Sequence, residues 1–324
     1  MELYVFRHDE YRRLYNCSFK TRDEWGSVFP PNYTFGSFCL LTGTIYAILY
    51  VPVLRVMLRP ELFQNSCFKI MFYFGLIDFF CIFLNCFLTG FLSIEGAVAC
   101  SHMDLIYVTG CFCVGLWSSQ CLTCVVLVFN RCVDISSEWL ADVLFSGYRT
   151  FLWILLTVVY MLYFVLFNTP ILFSSLSGAW FFDPYVGIPN IAMDRSAYGS
   201  YPAAINNLLD IVLLLVLHTY LFAVLWCKTK GYSGSQLRSL QVKVIMQSFF
   251  VCFVNFTCAA LYCYMQYFSA PMFLVVVAQI AWQLSNGGVV IIYIMMNKTI
   301  RNGVLNMIFC HTKNSTITPV VPIA

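Results

Sequence analysis

Between Val244 and Asn297 the chain runs for 54 residues without an Asp, Glu, Lys or Arg. A run of that length cannot be covered by a water-facing surface, because soluble folds need charged side chains at regular intervals. Further uncharged stretches lie at Trp25 to Leu54, Phe79 to Ile94, Leu105 to Asn130, Thr150 to Phe182 and Ile211 to Cys227. A helix rising ~1.5 Å per residue crosses ~30 Å of hydrocarbon in roughly 20 residues. The longest run therefore holds two crossings, with the turn between them at Gln266 to Pro271. The count is seven, near 34–57, 67–92, 101–131, 149–172, 203–227, 241–265 and 271–297. The apolar runs are continuous, whereas barrel strands alternate polar and apolar residues, so the expected fold is an all-α membrane protein, a seven-transmembrane helix bundle.

Composition agrees: 60% of residues are hydrophobic and 10% charged, against about 25% charged in soluble domains. The lipid bilayer is the partner. A net charge of +3 with scattered basic residues gives no stripe for a nucleic acid, so none is expected. Met1 to Arg13 has no apolar run and is not read as a cleavable signal, which leaves the first span as the insertion signal.

Positive charge sets the orientation. The connections after the first, third and fifth spans and the segment after the seventh hold 12 Lys and Arg, from Arg55 to Lys313 and including the basic turn Lys228 to Lys243. The other side holds Arg195 and five in the amino-terminal segment, a total of 6. The expectation is an extracellular N-terminal tail over 1–32, a membrane domain over 33–297 and a cytoplasmic C-terminal tail over 298–324. Sequons at Asn16 and Asn32 agree as glycosylation candidates, whereas triplets at Asn255, Asn297 and Asn314 fall in a span or on the inner side and are read as chance. Seven helices with this orientation are the arrangement of a G-protein-coupled receptor. No repeat or linker divides the chain. The connection Phe173 to Pro202, rich in aromatics and turn formers, reads either as an ordered cap or as a simple loop.

Few residues stand out against this apolar background. Arg131 closes the third span, and at 100° per residue Cys113, Trp117, Gln120 and Cys124 share its helix face. A stripe of that kind belongs in a bundle interior. Asp104 lies about 40 Å from Arg131 along the helix, at the outer mouth with His102. Asp78 is about 13 Å beyond Lys69 and thus near mid-membrane, where a carboxylate needs compensation. Ser285 and Asn286 are its candidate partners, with a bound cation or altered titration as alternatives, and the three are switch candidates. Asp210, near the outer boundary, is a ligand candidate or an interfacial acid; His218 reads as a satisfied interior histidine. Of the 16 cysteines, most fall within helices as small hydrophobes. Cys67, Cys132, Cys227 and Cys310 face the reducing side. Cys17 and Cys100 are the pair expected outside and form the disulfide candidate, with Cys39 and Cys263 as competitors. No zinc spacing, Walker loop or nucleophile elbow is present, so neither an enzyme nor a metal or cofactor site is expected.

Short motifs in order along the chain resemble the nematode serpentine receptor class T chemoreceptors. They are Tyr15-Asn16-Cys17-Ser18, Ser66-Cys67-Phe68-Lys69-Ile70-Met71, Asn130-Arg131-Cys132-Val133-Asp134-Ile135, and Ile292-Tyr293 with Asn297-Lys298-Thr299-Ile300-Arg301. The resemblance implies a plasma-membrane receptor of chemosensory cells that binds a small external molecule and signals through a heterotrimeric G protein. Within the wider rhodopsin-like superfamily, Arg131 looks like the arginine facing the G protein and Asp78 like the sodium-site acid. Asn130 stands where an acid is usual, no cysteine lies between Cys132 and Cys227, and Asn-Pro does not precede Tyr293. The site expectations are Cys113, Trp117, Gln120, Asp104 and Asp210 for the ligand and Asn130, Arg131 and Cys132 for coupling. The rival reading is a secondary transporter of a small molecule, hinted at only by Gly287-Gly288. A homo- or hetero-oligomer remains open.

Overall fold

The computed structural model describes residues 1–188, 191, 195–231, 235–268 and 270–309. Cys310, Lys313, Asn314 and the rest of 310–324 lie outside the described residues, as do 232–234 in the basic turn and the side chains of 229–244. Seven helices are long and apolar enough to cross a membrane: Tyr33–Met57, Ser66–Glu95, Met103–Ser136, Arg149–Phe167, Tyr201–Lys228, Ile245–Tyr267 and Met272–Met296. The seven-helix expectation is met. The differences at the ends have local causes. The fourth span stops at Phe167 rather than near 172: Asn168 is already extended, and Pro170, with no N–H to donate, does not continue a helix. The fifth and sixth helices continue past the apolar stretches, to Gly231 and back to Ser235, since polar residues sustain a helix outside the lipid.

Helix ends are fixed by side chains that satisfy the free backbone N–H groups. Asn32 Oδ1 accepts from Phe35 N and Asn65 Oδ1 from Cys67 N. Gly96, at φ 68°, ends the second span in the left-handed region where a side chain would be strained. A further helix, Lys298–Ile308, follows the seventh span, capped by Asn297 Oδ1 on Ile300 N.

The third span is the centre of the bundle, mostly buried where the fifth is mostly exposed. Exposed leucines and valines such as Leu152, Leu156 and Val159 on the fourth span and Leu208, Val212 and Val216 on the fifth form the outer face. With few charges on these helices, that face suits lipid rather than water. Close approach depends on small residues, and a Cβ at Gly287 would lie 1.9 Å from the Tyr46 ring.

One end of the bundle carries a cap. Residues 1–32, expected as a tail, form three short helices, Glu2–Phe6, His8–Leu14 and Arg22–Gly26, packed on the mouth of the bundle. Tyr11 donates to Asp104 Oδ1 at 3.0 Å, and its ring meets Tyr107 edge-on at 4.8 Å. Burial, reinforced by Asp104, pushes the Tyr11 phenol well above its ordinary titration range. Cys17 and Cys100 are joined by a disulfide. The connection after the fourth span contains a hairpin: Leu172–Ser174 pairs antiparallel with Ala179–Phe181, and Val98 bridges Ser174. Tyr185 and Tyr198 donate to the carbonyls of Asn16 and Leu14, so hairpin loop and amino-terminal helices form one lid.

Candidate functional site

Three groups of polar or aromatic residues lie along the third span, one below another. Nearest the cap is a cavity of about 310 Å³. Trp117 forms its side wall, Tyr262 and Trp282 stand on the sixth and seventh spans, and Trp180, Phe181 and Phe182 from the hairpin close the top. The Trp117 and Tyr262 rings are 6.5 Å apart and Tyr262 and Trp282 6.4 Å. Polar positions are few. Trp117 Nε1 donates to Asn207 Oδ1 at 2.8 Å, Asn206 Nδ2 donates to the same oxygen at 3.2 Å, and Tyr160 donates to Asn206 Oδ1. Gln266 on the sixth span donates to the Ser200 carbonyl. Ligand pockets have this character, an apolar wall with a small number of placed polar groups.

About 4.5 Å further along the helix, Gln120 belongs to a second group centred on Asp78, both fully buried. Gln120 Nε2 donates to Asp78 Oδ1 at 3.0 Å and to the Ser285 carbonyl at 2.9 Å. Tyr50, on the first span, places its hydroxyl 2.7 Å from Asp78 Oδ2 and 2.8 Å from the Asn286 carbonyl. The Ser285 and Asn286 side chains, expected as partners of Asp78, bond instead to the Trp282 carbonyl. The reason is local. Leu284–Gly288 is a π-helical segment, which breaks the regular backbone ladder and leaves the carbonyls of residues 285 and 286 to receive bonds from other helices. The cluster thus ties the first, second, third and seventh spans around one carboxylate, and each oxygen of that carboxylate has a donor.

Arg131 lies 11 residues beyond Gln120, about 17 Å along the helix. Its guanidinium is 3.9 Å from Asp134 Oδ2, one turn on, with side chains only 13% and 19% exposed. Asn130 donates to Ser66 Oγ at 3.2 Å and to Asp134 Oδ1 at 3.5 Å, and Cys132 Sγ reaches the Leu217 carbonyl on the fifth span at 3.4 Å. The acid beside this arginine thus lies three positions beyond it on the same helix. Gln247 on the sixth span accepts from Asn297 Nδ2 at 3.3 Å, which holds the ends of the sixth and seventh spans together.

The remaining expected positions fall elsewhere. Of the ligand candidates, Trp117 borders the cavity; Cys113 is buried close by, and Gln120 sits in the Asp78 cluster. Asp104 is engaged by Tyr11 in the lid. Asp210 is buried between helices, 2% exposed, and its Oδ2 accepts from Asn255 Nδ2 at 3.2 Å. The helix begins at Tyr201, so Asp210 lies nine residues inside it. His218 is buried with Nδ1 2.9 Å from the Leu214 carbonyl. Asn16 Oδ1 accepts from Ser18 N, and Asn32 is exposed at the start of the first span. No cluster of three or more metal-ligating side chains occurs among the described residues.

Tyr50, Asp134, Asn207, Asn255 and Trp282 were not singled out by the sequence. Asp134 had a usable signal, an acid one turn from Arg131. So did Asn255, a polar residue deep in the longest uncharged run. Trp282, one aromatic among many, had none.

A seven-helix bundle with a partly open cavity at one end and a partly buried arginine at the other has the layout of a G-protein-coupled receptor fold. Squid rhodopsin shares the fold, with a TM-score of 0.61 over 91% of each chain at 14% identity. The chain belongs to the serpentine type 7TM GPCR chemoreceptor Srt family, whose model matches residues 2–317. Serpentine receptor class T-55 of Caenorhabditis elegans is 24% identical over 314 residues, covering 95% of this chain and 84% of that protein.

Proposed function

We propose that the chain is a chemosensory receptor of the plasma membrane that binds a small external molecule in the Trp117 cavity and activates a heterotrimeric G protein at the Arg131 end. In this reading the lid, residues 1–32 included, is extracellular, and the segment from Lys298 onward is cytoplasmic. The observation that carries it is the layout of the third span: cavity wall, Asp78 cluster and Arg131 follow one another on a single rigid helix. A ligand that fits one bundle arrangement better than another shifts the population by that difference in affinity. Trp282, a cavity residue, accepts through its carbonyl from Ser285 and Asn286, so a displaced Trp282 disturbs the backbone that receives Gln120 and Tyr50. Outward motion of the sixth span would break the Gln247–Asn297 bond and uncover Arg131, with Asn130 and Cys132 beside it. The receptor itself makes and breaks no covalent bond.

The test is a small-molecule screen in cells that reports G-protein activation, with uptake of each hit measured in parallel. Concentration-dependent activation without uptake is expected; uptake without activation would favour a transporter and overturn the proposal.

A further inference from the structure

The connection between the third and fourth spans holds the helix Glu138–Phe145, opened by Ser137 Oγ, which accepts from Leu140 N. Turning about 100° per residue, its side chains fall into three sectors. Ala141, Leu144 and Phe145 share a sector about 100° wide and pack on the bundle core. Trp139, Leu140 and Val143 share another about 100° wide and are exposed, Trp139 by 70%. Glu138 and Asp142, about 40° apart, occupy the gap between the two and are exposed. One apolar face suffices to dock a helix on a core. The second, exposed face is the informative one.

The fourth span fixes the level at which this face sits. Trp153 Nε1 donates to the Leu144 carbonyl at 3.1 Å, the Trp153 ring stacks on Phe145 at 5.6 Å, and Arg149 Nη1 donates to the carbonyls of Asp142 and Val143. Trp153 is already about 6 Å into the fourth span, four residues from its start at Arg149. The short helix is therefore level with the first turns of that span, where the exposed apolar side chains Phe151, Leu152 and Leu155 begin. Tyr148, 72% exposed, stands between the two sets in the chain. Lys69 of the second span holds the joint, its Nζ donating to the Gly147 carbonyl at 3.0 Å and lying over the Phe151 ring. The exposed sector thus continues the outer face of the bundle. Trp and Tyr, apolar rings with a polar edge, concentrate where such a face leaves the hydrocarbon.

We propose that Glu138–Phe145 is an interfacial helix whose partner is phospholipid: Trp139, Leu140 and Val143 enter the bilayer at its polar–apolar boundary, while Glu138 and Asp142 stay in water. The contact holds on whichever side of the membrane this end lies. The full chain is reconstituted in phosphatidylcholine nanodiscs with plain acyl chains, chains brominated near the headgroup, or chains brominated near the methyl end, since bromine quenches tryptophan on contact. Trp139→Phe keeps an apolar ring, and wild-type emission minus that of the variant isolates Trp139 among the seven tryptophans. Most of this difference should be lost with the shallow bromines, less with the deep ones, and little on adding iodide to the water. Moving the reporter in the Trp139→Phe background separates the sectors: Val143→Trp should be quenched by the shallow bromines, and Glu138→Trp by iodide. The Trp139→Phe comparison decides alone if either second substitution does not fold. A Trp139 signal quenched by iodide and not by bromine would put the sector in water, open to a protein partner. A signal blind to both would put it under protein, and stronger quenching by the deep bromines would sink the helix into the hydrocarbon. Each of these results, or equal bromine quenching at positions 138 and 143, would overturn the proposal.

Discussion

Asp78, on the second span, is bonded by Tyr50 of the first and Gln120 of the third, and both of these also reach carbonyls of the seventh. The sequence made its place within the second span legible, because nine residues from Lys69 is an unambiguous distance on a helix, and the residue is fully buried. It did not reveal the partners, since Tyr50 is one of 20 tyrosines and carbonyls freed by a π-helical turn leave no mark in residue type. Tyr50 gives a clean test of the cluster. Tyr50→Phe keeps the ring packing and removes the donor to Asp78 Oδ2, so the receptor should lose about 1 to 3 kcal/mol of stability. Thermal unfolding in detergent measures this, and an unchanged midpoint would mean that Asp78 does not depend on Tyr50.

The seven spans were legible as elements because continuous apolarity over a membrane thickness admits few alternatives. The lid was not. Residues 1–32 contain short amphipathic turns held by tertiary contacts, above all tyrosine packing against Tyr107 and the hairpin loop, and none of these is visible in a local pattern. The Cys17–Cys100 disulfide spans 83 residues and anchors the lid to the start of the third span. Closing so long a loop contributes about 2 to 4 kcal/mol. Cys100→Ser should therefore lower the unfolding midpoint and expose sites in 1–32 to limited proteolysis under native conditions. Equal protection of mutant and wild type would assign the lid's stability to the aromatic contacts instead.

For the whole molecule, the charge count and the cap predict one orientation. Epitope tags at both termini of intact cells should give antibody access to the N-terminal tag only, with the C-terminal tag detected after permeabilisation; the reverse pattern would invert the receptor and relocate both the cavity and Arg131. Family membership and the rhodopsin-like fold establish the class of molecule, while the division of labour along the third span is the central claim. Its most direct measurement sets a ligand-binding isotherm beside a G-protein activation curve for Arg131→Ala and Trp117→Ala. Arg131→Ala should bind ligand with wild-type affinity and fail to activate, whereas Trp117→Ala, which removes an aromatic wall of the cavity, should bind about tenfold or more weakly. Normal activation by Arg131→Ala, or an unchanged isotherm for Trp117→Ala, would contradict the account.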